Sequence, residues 1–129
     1  MARRDRREQP RIPLEVEVLL DSRADATAGP LQLVLRTRNI NIRGAFLELP
    51  EFDPKSPCAS AEWWNRRPVR IHAQGPPLTE GEALDCQAVV RWVQRRGSKR
   101  RPVGVGVLFL QPSDRWLEAL QQFLDSLVA

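Results

Sequence analysis

The sequence predicts a small, mainly β domain: a six-stranded antiparallel β-barrel that ends in one amphipathic α-helix. Apolar and polar residues alternate in several short runs, and segments rich in Pro, Ser and Gly separate these runs. Near the C-terminus the spacing of apolar residues changes from two to three and four. Many short strands followed by a single helix are typical of a barrel with the helix packed on its surface or mouth.

The alternating runs are the predicted strands. They are residues 12–20, 31–40, 45–49, 69–73, 84–94 and 103–110. Residues 52–68 and 74–82 are rich in Pro, Ser and charge, so we expect connections there. Gly104 and Gly106 interrupt the last strand, and their missing side chains predict close packing beneath the C-terminal helix.

The last segment, about residues 113–128, is predicted as the helix. Ser113 is placed to cap its N-terminus. Its apolar residues share one face at three- and four-residue spacing: Trp116, Leu117, Leu120, Phe123, Leu124, Leu127 and Val128. We expect that face to pack against the barrel.

Composition bounds the domain organisation. A chain of 129 residues with 42% hydrophobic content suffices for one core. We expect a flexible basic arm over residues 1–11 and a single barrel domain over residues 12–129. No apolar run approaches the ~20 residues that cross a bilayer, and no apolar stretch follows the charged N-terminus as in a secretory signal. Cys58 and Cys86 are too few for a disulfide framework, so we expect a cytoplasmic, reduced protein.

The N-terminal arm carries Arg7 and Arg11 four residues apart, with Arg6 beside them. Pro10 and Pro13 exclude a helix, because each lacks an amide donor and drives its predecessor towards extended geometry. One guanidinium can donate to O6 and N7 of a guanine at once, or to phosphate oxygens. The arm is therefore a candidate for binding a guanine nucleotide. A solubilising basic tail is the alternative.

A second candidate segment runs from Asn39 to Gly44. Asn39 and Asn41 are two residues apart, so on an extended strand their side chains share one face. Their carboxamides can bond phosphate oxygens or the N1 and N2 groups of guanine. Gly44 permits a positive φ or a close approach of ligand to backbone. The alternative is an ordinary hairpin turn, where Asn and Gly are common.

Together the two segments resemble the bipartite motif of the PilZ family, R-x-x-x-R followed by D/N-x-S-x-x-G. Arg7 and Arg11 match the first part, and Asn39 and Gly44 match the ends of the second. Asn41 stands where the family usually has Ser. The resemblance covers almost the whole chain, since Trp92-Val93 and the run Gly-Val-Gly-Val-x-Phe from Gly104 look like the family's last two strands.

The resemblance implies a receptor for the bacterial second messenger cyclic di-GMP. It assigns the ligand to residues of the arm and of the barrel surface: Arg6, Arg7, Arg11, Asn39, Asn41 and Gly44. The arm would close over the ligand and so expose or cover a surface for a downstream effector protein. In the family, an Arg directly before the first motif accompanies an intercalated ligand pair, so Arg6 predicts two ligand molecules per chain.

The substitution at Asn41 leaves a second function open. A carboxamide is bulkier than a hydroxyl, yet it offers two donors and an acceptor. In a tight pocket, its steric cost can exceed the ~1–3 kcal/mol of a good polar contact. The alternative is a PilZ-like adaptor that does not bind the ligand and acts through protein contacts alone.

The basic residues suggest a third function. The net charge is +4, and beside the arm a second cluster surrounds the predicted loop of the last hairpin: Arg95, Arg96, Lys99, Arg100 and Arg101. A weak nucleic-acid-binding module would use both clusters, with Trp92 or Trp63-Trp64 as stacking surfaces. The bipartite motif would then be a coincidence, so we do not expect specific nucleic-acid binding. The plainer interpretation of the second cluster is a solvated hairpin tip.

Catalysis and resident metals are not expected. The sequence contains no H-E-x-x-H motif and no P-loop, and no Ser–His–acid or Cys–His grouping can be assembled from it. His72 is the only histidine, and with Cys58 and Cys86 it would make an incomplete metal site. We therefore expect a protein that is not an enzyme and needs no cofactor.

Overall fold

The computed structural model of the chain describes residues 15–20, 31–74 and 83–128. Six antiparallel strands close into a barrel in the order β1-β2-β3-β6-β5-β4. The strands are β1 (Glu15–Leu20), β2 (Leu31–Ile40), β3 (Gly44–Glu48), β4 (Pro68–Gln74), β5 (Ala83–Arg96) and β6 (Arg101–Leu110). The helices are α1 (Ala61–Trp64) and α2 (Asp114–Val128). This architecture confirms the predicted barrel with a C-terminal helix.

The inward faces of the strands build the core. In β5, for example, Leu84, Cys86, Ala88 and Val90 are buried while the residues between them are more exposed. Such alternation follows from the two-residue period of a strand, which turns every second side chain towards the barrel interior. Burial of aliphatic side chains is the main favourable contribution to the stability of such a core.

Helix α2 extends the core beyond the barrel. The predicted N-cap is confirmed, because Ser113 Oγ accepts a hydrogen bond from the Trp116 backbone N–H at 3.1 Å. Trp116, Leu120 and Phe123 are buried, and the Trp116 ring meets Phe109 edge-on at a centroid distance of 5.3 Å. The apolar face of α2 therefore packs against the barrel, as its spacing predicts.

The connection predicted over residues 52–68 is more structured than its composition indicates. It holds a 3-10 turn (Pro57–Ala59) followed by α1. The Trp64 side chain is 1% exposed, and its indole N–H donates to the Cys58 carbonyl oxygen at 2.8 Å. A four-residue helix is too short to show a periodicity in the sequence. It is stabilised by its packing, so tertiary contacts determine the structure of this segment.

The hairpin of β5 and β6 is longer than predicted. The strands pair as far as Arg96 and Arg101, and the turn of residues 97–100 is closed by a hydrogen bond from Arg100 N to Gly97 O at 3.0 Å. Three residues of the second basic cluster, Arg95, Arg96 and Arg101, therefore lie on strands rather than in a loop. The charged side chains of these residues did not indicate a strand, yet the pairing of β5 with β6 continues through them.

Candidate functional site

Three predicted site residues line a single groove on the outside of the barrel. Asn39, Asn41 and Gly44 meet there beside strands β5 and β6, around a volume of about 450 Å³. Asn39 is the second-last residue of β2 and Asn41 begins the turn into β3. The two residues are therefore not on one extended strand, contrary to the prediction. They nevertheless reach the same groove. Both side chains are exposed.

Asn41 organises the turn that forms one wall of the groove. Its Oδ1 accepts hydrogen bonds from the backbone N–H groups of Arg43 at 2.8 Å and Gly44 at 3.1 Å. Its own backbone N–H donates to the Gly44 carbonyl oxygen at 2.9 Å. This is an Asx turn, in which a side-chain oxygen replaces a backbone acceptor. A Ser hydroxyl can accept the same bonds more weakly, so this position suits either residue without any ligand.

Gly44 is required by the neighbouring strand. It pairs with Leu108 of β6, and a Cβ at this position would collide with the Val107 carbonyl oxygen. Gly44 does not adopt a positive φ, since among the described glycines only Gly97 does so. The close approach predicted for Gly44 therefore exists, and its partner is the backbone of β6.

A β-bulge in β2 directs the consecutive side chains of Arg38 and Asn39 outward. Thr37 pairs with Leu47 and Asn39 pairs with Phe46, so Arg38 is the extra residue between them. Thr37 is buried, whereas Asn39 is exposed. Without the bulge, the two-residue period would turn Asn39 towards the barrel interior, as it turns Thr37.

A second bulge, in β5, acts in the same way on the opposite wall. Val90 pairs with Val107 and Trp92 pairs with Gly106, which leaves Arg91 as the extra residue. Val90 is fully buried, whereas Arg91 and Trp92 are both exposed and both line the groove. The bulge thus adds a cation and an aromatic ring at adjacent positions.

Two aromatic rings lie over the outer face of β6. Trp92 stacks on Phe46 with a centroid distance of 5.0 Å and an interplanar angle of 23°. A Cβ at Gly106 would collide with the Trp92 ring, and one at Gly104 would collide with Phe46. The two glycines therefore make room for these rings, and their predicted position beneath the C-terminal helix is wrong. Trp92 stays 53% exposed and offers an aromatic surface to a ligand.

The groove is suited to an anion that carries aromatic rings. Arg43 and Arg91 line it, and its described lining residues include no acid. Two exposed guanidinium groups favour phosphate or a guanine edge. Bases stack on exposed aromatic side chains of this kind, each for ~1–3 kcal/mol.

The arm residues Arg6, Arg7 and Arg11 lie outside the described residues. The described part of β1 does show where the chain enters the barrel. Glu15 pairs with Arg36 in antiparallel register, so the N-terminal end of β1 adjoins the end of β2 that leads to Asn39. Arg11 lies four positions before Glu15 in the sequence, a span of at most ~14 Å.

The predicted site therefore omits Arg43, Arg91 and Trp92, since the sequence analysis considers Trp92 only for nucleic acid. For Arg91 and Trp92, the sequence pattern hides the bulge, because Trp92 is apolar and continues the two-residue alternation of Ala88 and Val90. Only the pairing of β5 with β6 shows the shift of register. For Arg43, no sequence signal distinguished it from other turn residues.

Within residues 15–20, 31–74 and 83–128, no group of three or more His, Cys, Asp or Glu residues is placed to hold a metal ion. No helix within those ranges is long and apolar enough to cross a membrane.

Comparison with known proteins gives a consistent result. A family model described as PilZ domain matches residues 5–126. The fold is similar to the PlzA protein of Borreliella burgdorferi, solved in complex with c-di-GMP, with a TM-score of 0.50 and 11% identity over 88% of this chain. The matched region spans 44% of PlzA. The PilZ domain of CeSA from a cellulose synthesizing bacterium also matches, with a TM-score of 0.49 and 15% identity over 92% of this chain and 97% of that one. No curated protein matches the chain.

Proposed function

This chain belongs to the PilZ domain family, and on that premise we propose that it is a receptor for cyclic di-GMP. One observation carries the proposal: Asn39, Asn41 and Gly44 of the family motif line the same groove as two arginines and a half-exposed Trp92. Membership of the family also supports a receptor or adaptor over an enzyme. The PlzA complex supports this choice of ligand.

In the proposed complex, each wall of the groove has its own role. Arg43 and Arg91 bind phosphate oxygens or guanine edges, and Trp92 stacks on a base. Asn39 and the Nδ2 group of Asn41 donate to ligand oxygens. The Asn41 Oδ1 stays on the backbone amides of Arg43 and Gly44, where it holds the turn. This division of the carboxamide explains how Asn can replace the usual Ser.

The arm completes the site in this proposal. Arg6, Arg7 and Arg11 close over the ligand and bring guanidinium groups to its outer side, and Arg6 favours two ligand molecules per chain. The register of β1 and β2 supports this, because the chain enters β1 at the end of the barrel that leads to the groove. Ordering of the arm would be the signal that an effector protein detects.

Isothermal titration of the full chain with cyclic di-GMP tests the proposal. We expect saturable binding, with Arg7→Ala, Arg11→Ala and Arg91→Ala each weaker by ~1–3 kcal/mol. Arg70→Ala is the matched control, since Arg70 is an exposed arginine on β4 away from the groove. None of these variants should change the thermal unfolding midpoint by more than a surface substitution does.

Three outcomes would count against the proposal. The absence of heat at high micromolar ligand would favour the adaptor that does not bind the ligand. Equal losses in Arg70→Ala and Arg91→Ala would show that general charge, not the groove, governs affinity. Tight, sequence-selective binding of DNA at physiological salt would favour the nucleic-acid module.

A further inference from the structure

A second groove lies at the far end of the hairpin of β5 and β6. The connection after β3 forms one wall and the hairpin tip forms the other, around a volume of about 680 Å³. Leu49, Phe52 and Val103 give it an apolar lining, and each of these side chains is partly exposed. We call it the tip groove. No described residue lines both this groove and the groove that Asn39, Asn41 and Gly44 line.

The rim of the tip groove is basic. Arg96, Lys99 and Arg101 line it together with Glu51, the one acid among its described lining residues. Arg101 already donates to Glu51 Oε2 at 2.8 Å. Within the described part of the chain, Arg96 and Lys99 have no ion pair. The groove therefore combines an apolar lining with two cations that have no ion pair among the described residues, and three of the five residues of the second basic cluster line it.

Both walls are fixed before any partner arrives. The hairpin turn is closed by the hydrogen bond from Arg100 N to Gly97 O at 3.0 Å. On the other wall, the Asp53 side chain accepts from Lys55 N at 2.9 Å, and the Asp53 carbonyl accepts from Ser56 N at 2.8 Å. Leu49 N donates to Val103 O at 3.0 Å and joins the walls. Such pre-organisation lowers the entropic cost of binding.

Two of the chain's own segments are poor occupants of the tip groove. The N-terminal arm is rich in arginine and would be repelled by the basic rim. Residues 75–82 include Glu80 and Glu82, but they join β4 to the opposite end of β5 from Arg96. That 14-residue strand is on the order of 40 Å long. The eight-residue connection of residues 75–82 spans at most ~30 Å, and it must also return to Ala83 at the start of β5. It is therefore too short to reach the tip groove.

We propose that the tip groove docks an acidic peptide segment of another protein, which inserts a large apolar side chain between Phe52 and Val103. Carboxylates on either side of that side chain pair with Arg96 and Lys99. Charge complementarity selects the partner, and burial of the apolar side chain supplies affinity. This proposal is independent of cyclic di-GMP binding, because no described residue lines both grooves.

Calorimetric titration of the full chain with a synthetic peptide tests the proposal. The probe is a ten-residue peptide with a central Leu-Phe pair flanked by Asp and Glu. We expect saturable binding that weakens about tenfold or more in the double variant Arg96→Glu and Lys99→Glu. The control is Arg36→Glu and Arg70→Glu, which makes the same charge change on exposed residues of β2 and β4. It should bind the probe within about threefold of the native chain.

A second peptide separates docking from simple charge attraction. Replacing the Leu-Phe pair by Ser-Ser should weaken binding about tenfold or more, because the apolar contact is lost. Equal binding of both peptides, or equal losses in the two double variants, would overturn the proposal. So would no binding of the probe, or stronger binding of a DNA duplex or of anionic phosphatidylserine vesicles at the same salt concentration. An unchanged unfolding midpoint of each variant shows that its fold is intact.

Discussion

Strand β6 has two faces of different construction. Its inner face carries Val105 and Val107, both buried in the core. Its outer face carries Gly104 and Gly106, over which Phe46 and Trp92 lie as a stacked pair. The inner face presents the side chains of β6 itself. On the outer face the glycines have no side chain, and rings from neighbouring strands occupy that space. The core and the groove can therefore be altered separately, since only the inner face of β6 contributes to the core.

A substitution on the inner side of the barrel should have the strongest effect on stability. Leu47 of β3 is 1% exposed and belongs to the core, so Leu47→Ala should cost about 2–5 kcal/mol of unfolding free energy. Chemical denaturation measures this loss. Cyclic di-GMP affinity of the folded fraction should stay close to the native value. A large loss of affinity in protein that remains folded would mean that core and groove are coupled.

The next effect belongs to the outer side. Trp92→Ala should weaken cyclic di-GMP binding by ~1–3 kcal/mol through lost stacking. Its cost to stability should be smaller, ~0.5–1.5 kcal/mol for the lost ring pair. Trp92→Phe is the matched variant, which keeps a ring over Gly106 and should recover part of the affinity. Native affinity in Trp92→Ala would remove this ring from the site.

A smaller effect separates the two functions of Asn41. Asn41→Ala removes the acceptor of two backbone N–H groups and should cost ~1 kcal/mol of stability. Asn41→Ser keeps an acceptor in the turn and should be nearly neutral in stability, with cyclic di-GMP affinity held or increased. Titration and denaturation of the three proteins side by side measure both quantities. If stability is indifferent to both substitutions, the side chain does not hold the turn.

The smallest effect concerns the reactivity of the core. Burial raises the pKa of the Cys86 thiol to about 11, and Cys58 is also buried. Because the thiolate is the reactive form, neither thiol should react with Ellman's reagent in native protein near pH 8. Both should react fully in denaturant. Rapid reaction of the native protein would reveal local opening of the barrel.

The sequence predicted the inner face of the barrel more completely than the groove on its outer face. Two-residue alternation was enough for the core strands, because burial on one face is a strong constraint on sequence. The motif residues Asn39, Asn41 and Gly44 were predicted from their resemblance to the family, and the structure brings them to one groove. Whether they bind ligand stays a prediction, as does the division into arm and barrel.

Two of the three missed residues share a physical cause. Arg91 and Trp92 reach the groove through a bulge in β5, and a bulge depends on pairing with a distant strand. The glycines of β6 were misassigned to the helix contact for a similar reason. Which ring covers Gly106 is decided across the sheet by Trp92, and local sequence carries no record of that pairing.

The unequal exposure of the tryptophans has a practical consequence. Trp64 and Trp116 are each 1% exposed and Trp63 is partly exposed, whereas Trp92 is 53% exposed. Intrinsic fluorescence of the native protein should therefore contain a red-shifted component that comes mainly from Trp92, and collisional quenchers such as iodide should suppress that component first. A base stacked on this indole would quench it as well and shield it from iodide. The protein thus carries an internal optical reporter at the groove, so that occupancy could be followed in real time without a label.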